Sequence, residues 1–156
     1  MRDSQFPVLF GIGLIAFGTL LLEVDITRIF SVTLWYYFGF VAISLALLGT
    51  AAAGVLCFVN PSRWAGAGYR RNMGWFAVAL GVLCPIVIWI HLASDFSSFT
   101  LQHGLFFGIL GLQLLGFFLL FFCAGMVIAI GLFRFREQVG RFYFFDLVGA
   151  SLGSLA

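Results

Sequence analysis

Charge is scarce in this sequence, and lysine is absent from it. Only 9% of the 156 residues are charged, and all eight basic residues are arginine. Ordinary soluble domains have about a quarter of their residues charged, and a chain that is 63% hydrophobic has too little polar surface to cover a soluble core. A dispersed net charge of +2 also argues against a nucleic-acid partner. The composition predicts an integral membrane protein whose first partner is the lipid bilayer.

The signature motifs of soluble enzymes are also missing. The sequence contains no glycine-rich dinucleotide fingerprint, no Walker loop, no His-Glu-x-x-His motif and no Gly-x-Ser-x-Gly elbow. We therefore assign no catalytic residue and leave the identity of any cofactor unknown. The three cysteines are an odd number inside apolar runs and match no disulfide or zinc spacing, which favours helix packing for Cys57, Cys84 and Cys123.

Long apolar runs dominate what is present. A transmembrane helix needs about 20 apolar residues to cross the hydrocarbon core, and continuous rather than alternating runs argue against a β-barrel. We predict a single all-α domain over residues 1–156, a multi-pass transmembrane helical bundle with about four full spans and a truncated or re-entrant fifth. The predicted spans are 7–30, 34–59, 74–93, 105–133 and, in part, 143–156.

The fifth apolar stretch is short. About fourteen helical residues rise only about 21 Å, less than a full crossing, and no proline, charge or polar tail ends the stretch. It belongs either to a longer protein or to a re-entrant segment covered by neighbours. An apolar end without a cap favours the first interpretation.

The arginines are unevenly distributed among the connections between spans. The connections after the second and fourth spans contain arginine, whereas the connections at residues 31–33 and 94–104 contain none. The positive-inside rule then places the N-terminus and both arginine-rich connections in the cytoplasm. These arginines are Arg63, Arg70, Arg71, Arg134, Arg136 and Arg141.

The first candidate site is an ionisable cluster at the far end of the first span, formed by Glu23, Asp25 and Arg28. Ionisable side chains within a span are costly and are functional candidates for that reason. Asp25 and Arg28 are three residues apart and can pair on one helix face. A purely structural interpretation has these two neutralise each other while Arg28 extends to the interface. Glu23 points away from Arg28, so it requires a partner on another helix or a proton.

A second candidate is a metal, haem or pigment site at two histidines. His91 and Asp95 are four residues apart, close enough for contact on a helix, and His103 follows in the loop. Two histidines and a carboxylate can bind a metal, and a histidine in a span can ligate haem or chlorophyll. No pair of histidines within the spans has the spacing of a haem clamp, so interfacial polar residues are the simpler interpretation.

The third candidate joins Asp146 to a small-residue helix face. Gly149 and Gly153 form a Gly-x-x-x-Gly pair, which is typical of helices that pack closely in membranes. Asp146 lies one turn earlier, where it can pair with Arg141 or with an arginine of another loop. The pattern predicts helix packing at the glycines and a buried charge at Asp146.

Three segments resemble the N-terminal membrane region of spermidine-synthase-like proteins, bacterial proteins in which a multi-span region is fused to an aminopropyltransferase-type domain. Residues 21–31 read LLEVDITRIFS, residues 37–49 read YFGFVAISLALLG and residues 140–153 read GRFYFFDLVGASLG. The third segment looks like the Tyr-x-x-Asp-Leu-x-Gly-Ala motif of that family and is the most specific. The resemblance covers most of this chain but only the front of such a protein.

The resemblance implies a non-catalytic membrane module in the bacterial inner membrane, with Glu23, Arg28, Tyr143 and Asp146 at matching positions. Such a module would anchor or feed a transferase, or bind a polyamine at Glu23 and Asp25. Cations beside carboxylates in a low-dielectric setting make polyamine binding physically reasonable. In that family the polyamine site lies in the soluble domain, which the resemblance does not cover. The resemblance therefore leaves open whether this protein is an enzyme.

Two other functions fit the same residues. A structural accessory subunit of a respiratory or photosynthetic complex would pack its phenylalanine-rich surface and glycine faces against other membrane helices or subunits. Half of a small-molecule transporter would pair two bundles about a twofold axis. A stoichiometric partner that co-purifies favours the first of these, and a symmetric dimer around Glu23 favours the second.

Overall fold

The computed structural model describes residues 6–33, 38–94 and 104–156. These ranges form the helices α1 (Phe6–Thr33), α2 (Phe38–Val59), α3 (Pro61–Trp64), α4 (Tyr69–Ala93), α5 (Gly104–Arg134) and α6 (Val139–Leu155). A short 3₁₀ turn, Arg136–Gln138, separates the last two, and the described ranges contain no strand. The predicted all-α fold is confirmed.

Four of the described helices are long and apolar enough to cross a bilayer: Phe6–Val32, Phe38–Val59, Tyr69–Ala93 and Phe107–Arg134. In lipid a helix satisfies every backbone N–H and C=O within its own segment, which is why apolar runs of this length fold as helices. The predicted multi-pass bundle is therefore confirmed. The shorter α6 has 17 residues and spans about 25 Å.

The start of α4 differs most from the prediction, because the helix begins at Tyr69 rather than at residue 74. The side-chain amide of Asn72 donates to the carbonyls of Arg63 and Trp64, at 3.1 and 3.0 Å, and so joins the first turn of α4 to α3. Residues 34–37, the predicted start of the second span, lie outside the described residues, and so do residues 95–103 of the predicted loop after the third span.

α1 and α6 pack closely and run parallel. Gly149 lies against the backbone carbonyl of Gly13, and Gly153, one turn later, lies against that of Phe17. A Cβ at either position of α6 would collide with that carbonyl, so only glycine allows the two backbones to approach this far. The contacts advance in the same direction along both helices, which defines their parallel arrangement.

α5 is the central helix of the bundle. It packs against α1, α2 and α4, and a larger share of its span is buried than in the other three spans. A Cβ on Gly125 would lie 2.8 Å from the Cα of Thr50, so α5 and α2 also approach closely. Residues of α5 accordingly line the cavity between α1, α2 and α6 and the spaces between α1 and α4.

Two apolar clusters fill the interior around α5. The cluster toward the arginine-rich end includes Ile12, Met126, Ile130 and Phe142. The cluster toward the other end includes Ile26, Phe30, Phe117, Leu120 and Phe121. The rings of Phe30 and Phe117 meet edge to face with centroids 5.1 Å apart. In lipid such contacts stabilise the bundle through van der Waals packing rather than through exclusion of water.

Candidate functional site

A cavity of about 220 Å³ lies between α1, α2, α5 and α6, and two carboxylates line it. They belong to Glu23 of α1 and Asp146 of α6, and the hydroxyl-bearing Thr19 and Thr50 line the same space. The other lining residues are Ala16, Leu20, Ala46, Leu47, Phe121, Ile128 and Ala150. We call this space the carboxylate cavity.

α1 directs only one of its ionisable residues into the carboxylate cavity. Glu23 is partly buried and lines the cavity, whereas Asp25 and Arg28 are exposed on the outside of the bundle. At 3.6 residues per turn, Asp25 lies about 200° around the helix from Glu23. Glu23 and Asp25 therefore do not share a face of α1, although Glu23, Asp25 and Arg28 all lie within the span Phe6–Val32. A ligand role for these residues stays a prediction. Among the described residues, no ion pair joins Asp25 to Arg28.

The close packing of α6 on α1 brings Asp146 to the cavity. Asp146 is partly buried and lies one turn before Gly149, the residue that contacts the Gly13 carbonyl. Because Gly149 lies level with Gly13, Asp146 lies level with a position thirteen residues before Glu23. At a rise of about 1.5 Å per residue, the α-carbons of the two residues are about 20 Å apart along the bundle. The two carboxylates therefore belong to opposite ends of an elongated cavity.

The carboxylate cavity has no basic residue among the described residues that line it. Neither Glu23 nor Asp146 forms an ion pair within residues 6–33, 38–94 and 104–156. Arg141 is exposed on the first turn of α6, and among the described residues no ion pair joins it to Asp146. An isolated carboxylate inside an apolar bundle is costly unless a cation or a proton neutralises it. The charge of the cavity favours a cationic occupant.

Two threonine hydroxyls add polar surface to the cavity. Thr19 Oγ1 donates to the Ile15 carbonyl at 2.6 Å, and Thr50 Oγ1 donates to the Ala46 carbonyl at 2.9 Å. Each hydroxyl uses its proton within its own helix, so its oxygen lone pairs remain as acceptors. Oxygen acceptors of this kind suit N–H donors such as ammonium groups.

The histidine candidate is only partly described. His91 is buried, and the centroid of its ring lies 5.2 Å from that of Phe30 and 6.0 Å from that of Phe117. Asp95 and His103 lie outside the described residues. Within the described part of the chain, no group of three His, Cys, Asp or Glu side chains can hold a metal ion. His91 therefore lies in an aromatic environment near the end of α4, and a ligand role for His91 and His103 stays a prediction.

Both arginine-rich connections meet at one end of the bundle, around Tyr69. The guanidinium carbon of Arg134 lies 5.1 Å from the centroid of the Tyr69 ring, and that of Arg70 lies 6.0 Å from it. Arg134 ends α5 and Arg70 lies in the first turn of α4. Contacts of this kind contribute about 0.5–1 kcal/mol each at exposed sites. The two connections thus share one end, as the distribution of arginine in the sequence requires.

Sequence patterns single out Glu23 and Asp146 separately and do not reveal that they share a cavity. Thr19 lies four residues before Glu23, a helical spacing that was an available signal for a common face. Thr50 and Asp146 join them only through the packing of α2 and α6. Comparison of the chain with protein-family models, with curated proteins and with solved structures finds no match. The geometry of the carboxylate cavity is therefore the basis for inferring function.

Proposed function

We propose that this protein is a non-catalytic integral membrane module that binds a linear polyamine in the carboxylate cavity. The observation that carries the proposal is the placement of Glu23 and Asp146 in one elongated space without a basic lining residue among those described. Both carboxylates then gain a counter-charge from a single molecule. A polyamine has this form, since it carries several ammonium groups along a flexible hydrocarbon chain.

The separation of the carboxylates argues for such a ligand over a metal ion. A bound Ca²⁺ or Mg²⁺ ion requires its oxygen ligands at about 2.0–2.6 Å, whereas the α-carbons of Glu23 and Asp146 lie about 20 Å apart along the bundle axis. Between them the walls are mainly apolar, with the Thr19 and Thr50 hydroxyls as acceptors. Apolar walls suit methylene groups, and the acceptors suit an ammonium group in the middle of the chain.

The size of the cavity also suits a small linear molecule. Sites for drug-sized ligands have volumes of about 300–1,000 Å³, and the carboxylate cavity has about 220 Å³. The resemblance of segments 21–31 and 140–153 to spermidine-synthase-like membrane regions contributes further support, because these segments contain Glu23 and Asp146. In this proposal the module anchors an aminopropyltransferase-type domain in the membrane or supplies it with polyamine.

We further propose that the module resides in a bacterial inner membrane with its arginine-rich end in the cytoplasm. The contacts of Arg70 and Arg134 with Tyr69 support a shared end for both connections. Excess arginine on one end is typical of the cytoplasmic face. Glu23 then lies in the half of the bundle away from the cytoplasm and Asp146 in the half toward it.

Binding of radiolabelled spermidine to the purified full chain in lipid nanodiscs tests the polyamine site. We expect saturable binding that Glu23→Gln and Asp146→Asn each weaken about tenfold or more, since removal of one partner of a buried charge pair is strongly unfavourable. Asp25→Asn is the matched control, because it removes a carboxylate only two residues away that is exposed. Hexylamine, with one ammonium group, should compete poorly.

Two results would overturn the proposal. One is a loss of affinity in Asp25→Asn equal to that in Glu23→Gln, which would indicate attraction to surface charge alone. The other is wild-type affinity in both cavity variants, which would place any bound spermidine elsewhere.

A further inference from the structure

A second polar space lies at the arginine-rich end of the bundle. It has a volume of about 430 Å³ and lies between the start of α4, the end of α5 and the 3₁₀ turn before α6. Its lining residues are Tyr69, Phe133, Arg134, Phe135, Arg136, Glu137 and Gln138. We call this space the arginine pocket. None of these residues lines the carboxylate cavity, so the two spaces are separate.

Aromatic rings position both guanidinium groups of the arginine pocket. The guanidinium carbon of Arg134 lies 5.1 Å from the centroid of the Tyr69 ring, and that of Arg136 lies 4.9 Å from the centroid of the Phe133 ring. Stacking occupies one flat face of a guanidinium and leaves the N–H groups at its edge available to donate. Among the described residues, no hydrogen bond or ion pair engages either guanidinium. Two cationic donor groups therefore line one space with their N–H groups unused.

The remaining polar groups of the arginine pocket leave it with an excess of positive charge. Its one carboxylate among the described residues is that of Glu137, which is exposed and forms no ion pair within them. The side-chain amide of Gln138 adds further N–H donors. The Tyr69 hydroxyl accepts a hydrogen bond from Arg70 Nε at 3.2 Å, so its own proton is left to donate. Several donors and a net positive charge suit an anion with several oxygen acceptors.

The arginine pocket lies where the apolar part of α5 ends. The span Phe107–Arg134 stops at one of the lining residues. Beyond a hydrocarbon core about 30 Å thick, polar headgroups occupy about 5–7 Å on each side of a bilayer. Tyrosine is enriched at this depth in membrane proteins, which agrees with the position of Tyr69 in the lining. The pocket is therefore at the level of the lipid phosphates.

We propose that the arginine pocket binds a phosphate group, with the guanidinium N–H groups of Arg134 and Arg136 donating to the phosphate oxygens. Guanidinium groups bind phosphate through charge-assisted hydrogen bonds, often two at a time. The depth of the pocket favours the headgroup of an anionic phospholipid over a soluble phosphate ester as the source of this group. A zwitterionic headgroup is the poorer ligand, because its ammonium group would lie near two guanidinium groups. This proposal does not depend on the polyamine site.

Native mass spectrometry of the full chain tests the lipid source. The protein is reconstituted in vesicles of equal phosphatidylcholine and phosphatidylglycerol, extracted in mild detergent, and its retained lipids are quantified. We expect enrichment of phosphatidylglycerol that an Arg134→Gln, Arg136→Gln double variant reduces about tenfold. The matched control is Arg63→Gln, Arg71→Gln, which removes the same charge from the same end at two exposed residues outside the described lining. Equal losses in the two double variants would overturn the proposal, since general attraction to this end would explain them.

Removal of the pocket's carboxylate tests the site in the opposite direction. Glu137→Gln should increase the retention of phosphatidylglycerol about twofold, because it removes a negative charge beside the proposed phosphate. A folding defect would not produce this increase. Asp25→Asn is the control, since it removes an exposed carboxylate at the other end of the bundle and should match the wild type. Unchanged or lower retention in Glu137→Gln contradicts the proposal.

A titration of glycerol phosphate distinguishes the two sources of phosphate. The full chain is placed in nanodiscs of phosphatidylcholine alone, and binding is followed by isothermal titration calorimetry. We expect no saturable binding at millimolar concentrations, which together with the enrichment of phosphatidylglycerol assigns the pocket to lipid headgroups. Saturable binding that is lost in Arg134→Gln, Arg136→Gln would keep the phosphate site and assign it to a soluble ester. Failure of both phosphatidylglycerol and glycerol phosphate to bind would overturn the proposal.

Discussion

At the scale of single residues, the proposed polyamine site depends on Glu23 and Asp146, because each brings a carboxylate into a largely apolar cavity. A charged side chain near the centre of a membrane helix costs about 3 kcal/mol on insertion scales. Asp25 lies on the same helix as Glu23 but on the outer surface of the bundle, outside the carboxylate cavity. In the proposed site this cost is recovered when a cation occupies the carboxylate cavity, so the proposal links stability to ligand binding at these two residues.

This linkage predicts the thermal behaviour of Glu23→Gln. Without polyamine we expect its unfolding midpoint to exceed that of the wild type by about 2–4 °C, because roughly 1 kcal/mol of unfavourable charge burial is removed. Spermidine should raise the midpoint of the wild type and leave that of the variant nearly unchanged. The measurement is thermal unfolding in detergent followed by intrinsic tryptophan fluorescence.

Asp25→Asn serves as the control for Glu23→Gln, since its carboxylate is exposed. It should match the wild type with and without spermidine. A midpoint of Glu23→Gln below that of the wild type, together with an unchanged response to spermidine, would show that Glu23 is a structural residue rather than part of a cation site.

At the scale of helices, the contact between α1 and α6 decides whether a cavity with two carboxylates exists. Gly149 and Gly153 allow α6 to lie against the backbone of α1 at Gly13 and Phe17. Any side chain at these positions would move α6 outward and carry Asp146 with it. The glycines are therefore positioning residues for the site as well as packing residues.

Gly149→Leu should separate α6 from α1. A backbone carbonyl cannot move aside as a flexible side chain can, so we expect destabilisation of about 1–3 kcal/mol, typical of overpacking, and loss of spermidine binding. Gly140→Leu is the matched control on the same helix, because a Cβ there meets no atom within 4 Å. Spermidine binding by nanodisc-embedded Gly149→Leu at wild-type affinity would refute this role of the α1–α6 contact.

At the scale of the whole molecule, one end of the bundle carries six arginines, whereas the described residues of the other end carry only Arg28. Arg70 and Arg134 meet at Tyr69, although they belong to connections far apart in the sequence. The proposed orientation depends on this asymmetry, because arginine is enriched on the cytoplasmic face of membrane proteins.

Cysteine labelling in sealed inverted vesicles tests the orientation of the bundle. After replacement of Cys57, Cys84 and Cys123 by serine, single cysteines at Arg71 and Glu137 should react with a membrane-impermeant maleimide from the cytoplasmic side. A cysteine at Val32, which is 86% exposed near the other end of α1, should react only from the opposite side. Reaction of the Arg71 and Glu137 positions from different compartments would contradict the bundle topology itself.

The sequence by itself determined that this protein is surrounded by lipid, that it is helical and approximately where its four long spans lie. These follow from hydropathy and from the need to satisfy backbone polar groups, which are local properties of each segment. Only the tertiary structure decided that Glu23 and Asp146 line one cavity while Asp25 faces outward. It also decided that Gly149 contacts a backbone while Gly74 lies open. Those outcomes depend on the rotation and register of helices distant in sequence. A hydropathy pattern this uniform around each helix does not encode which face meets which neighbour.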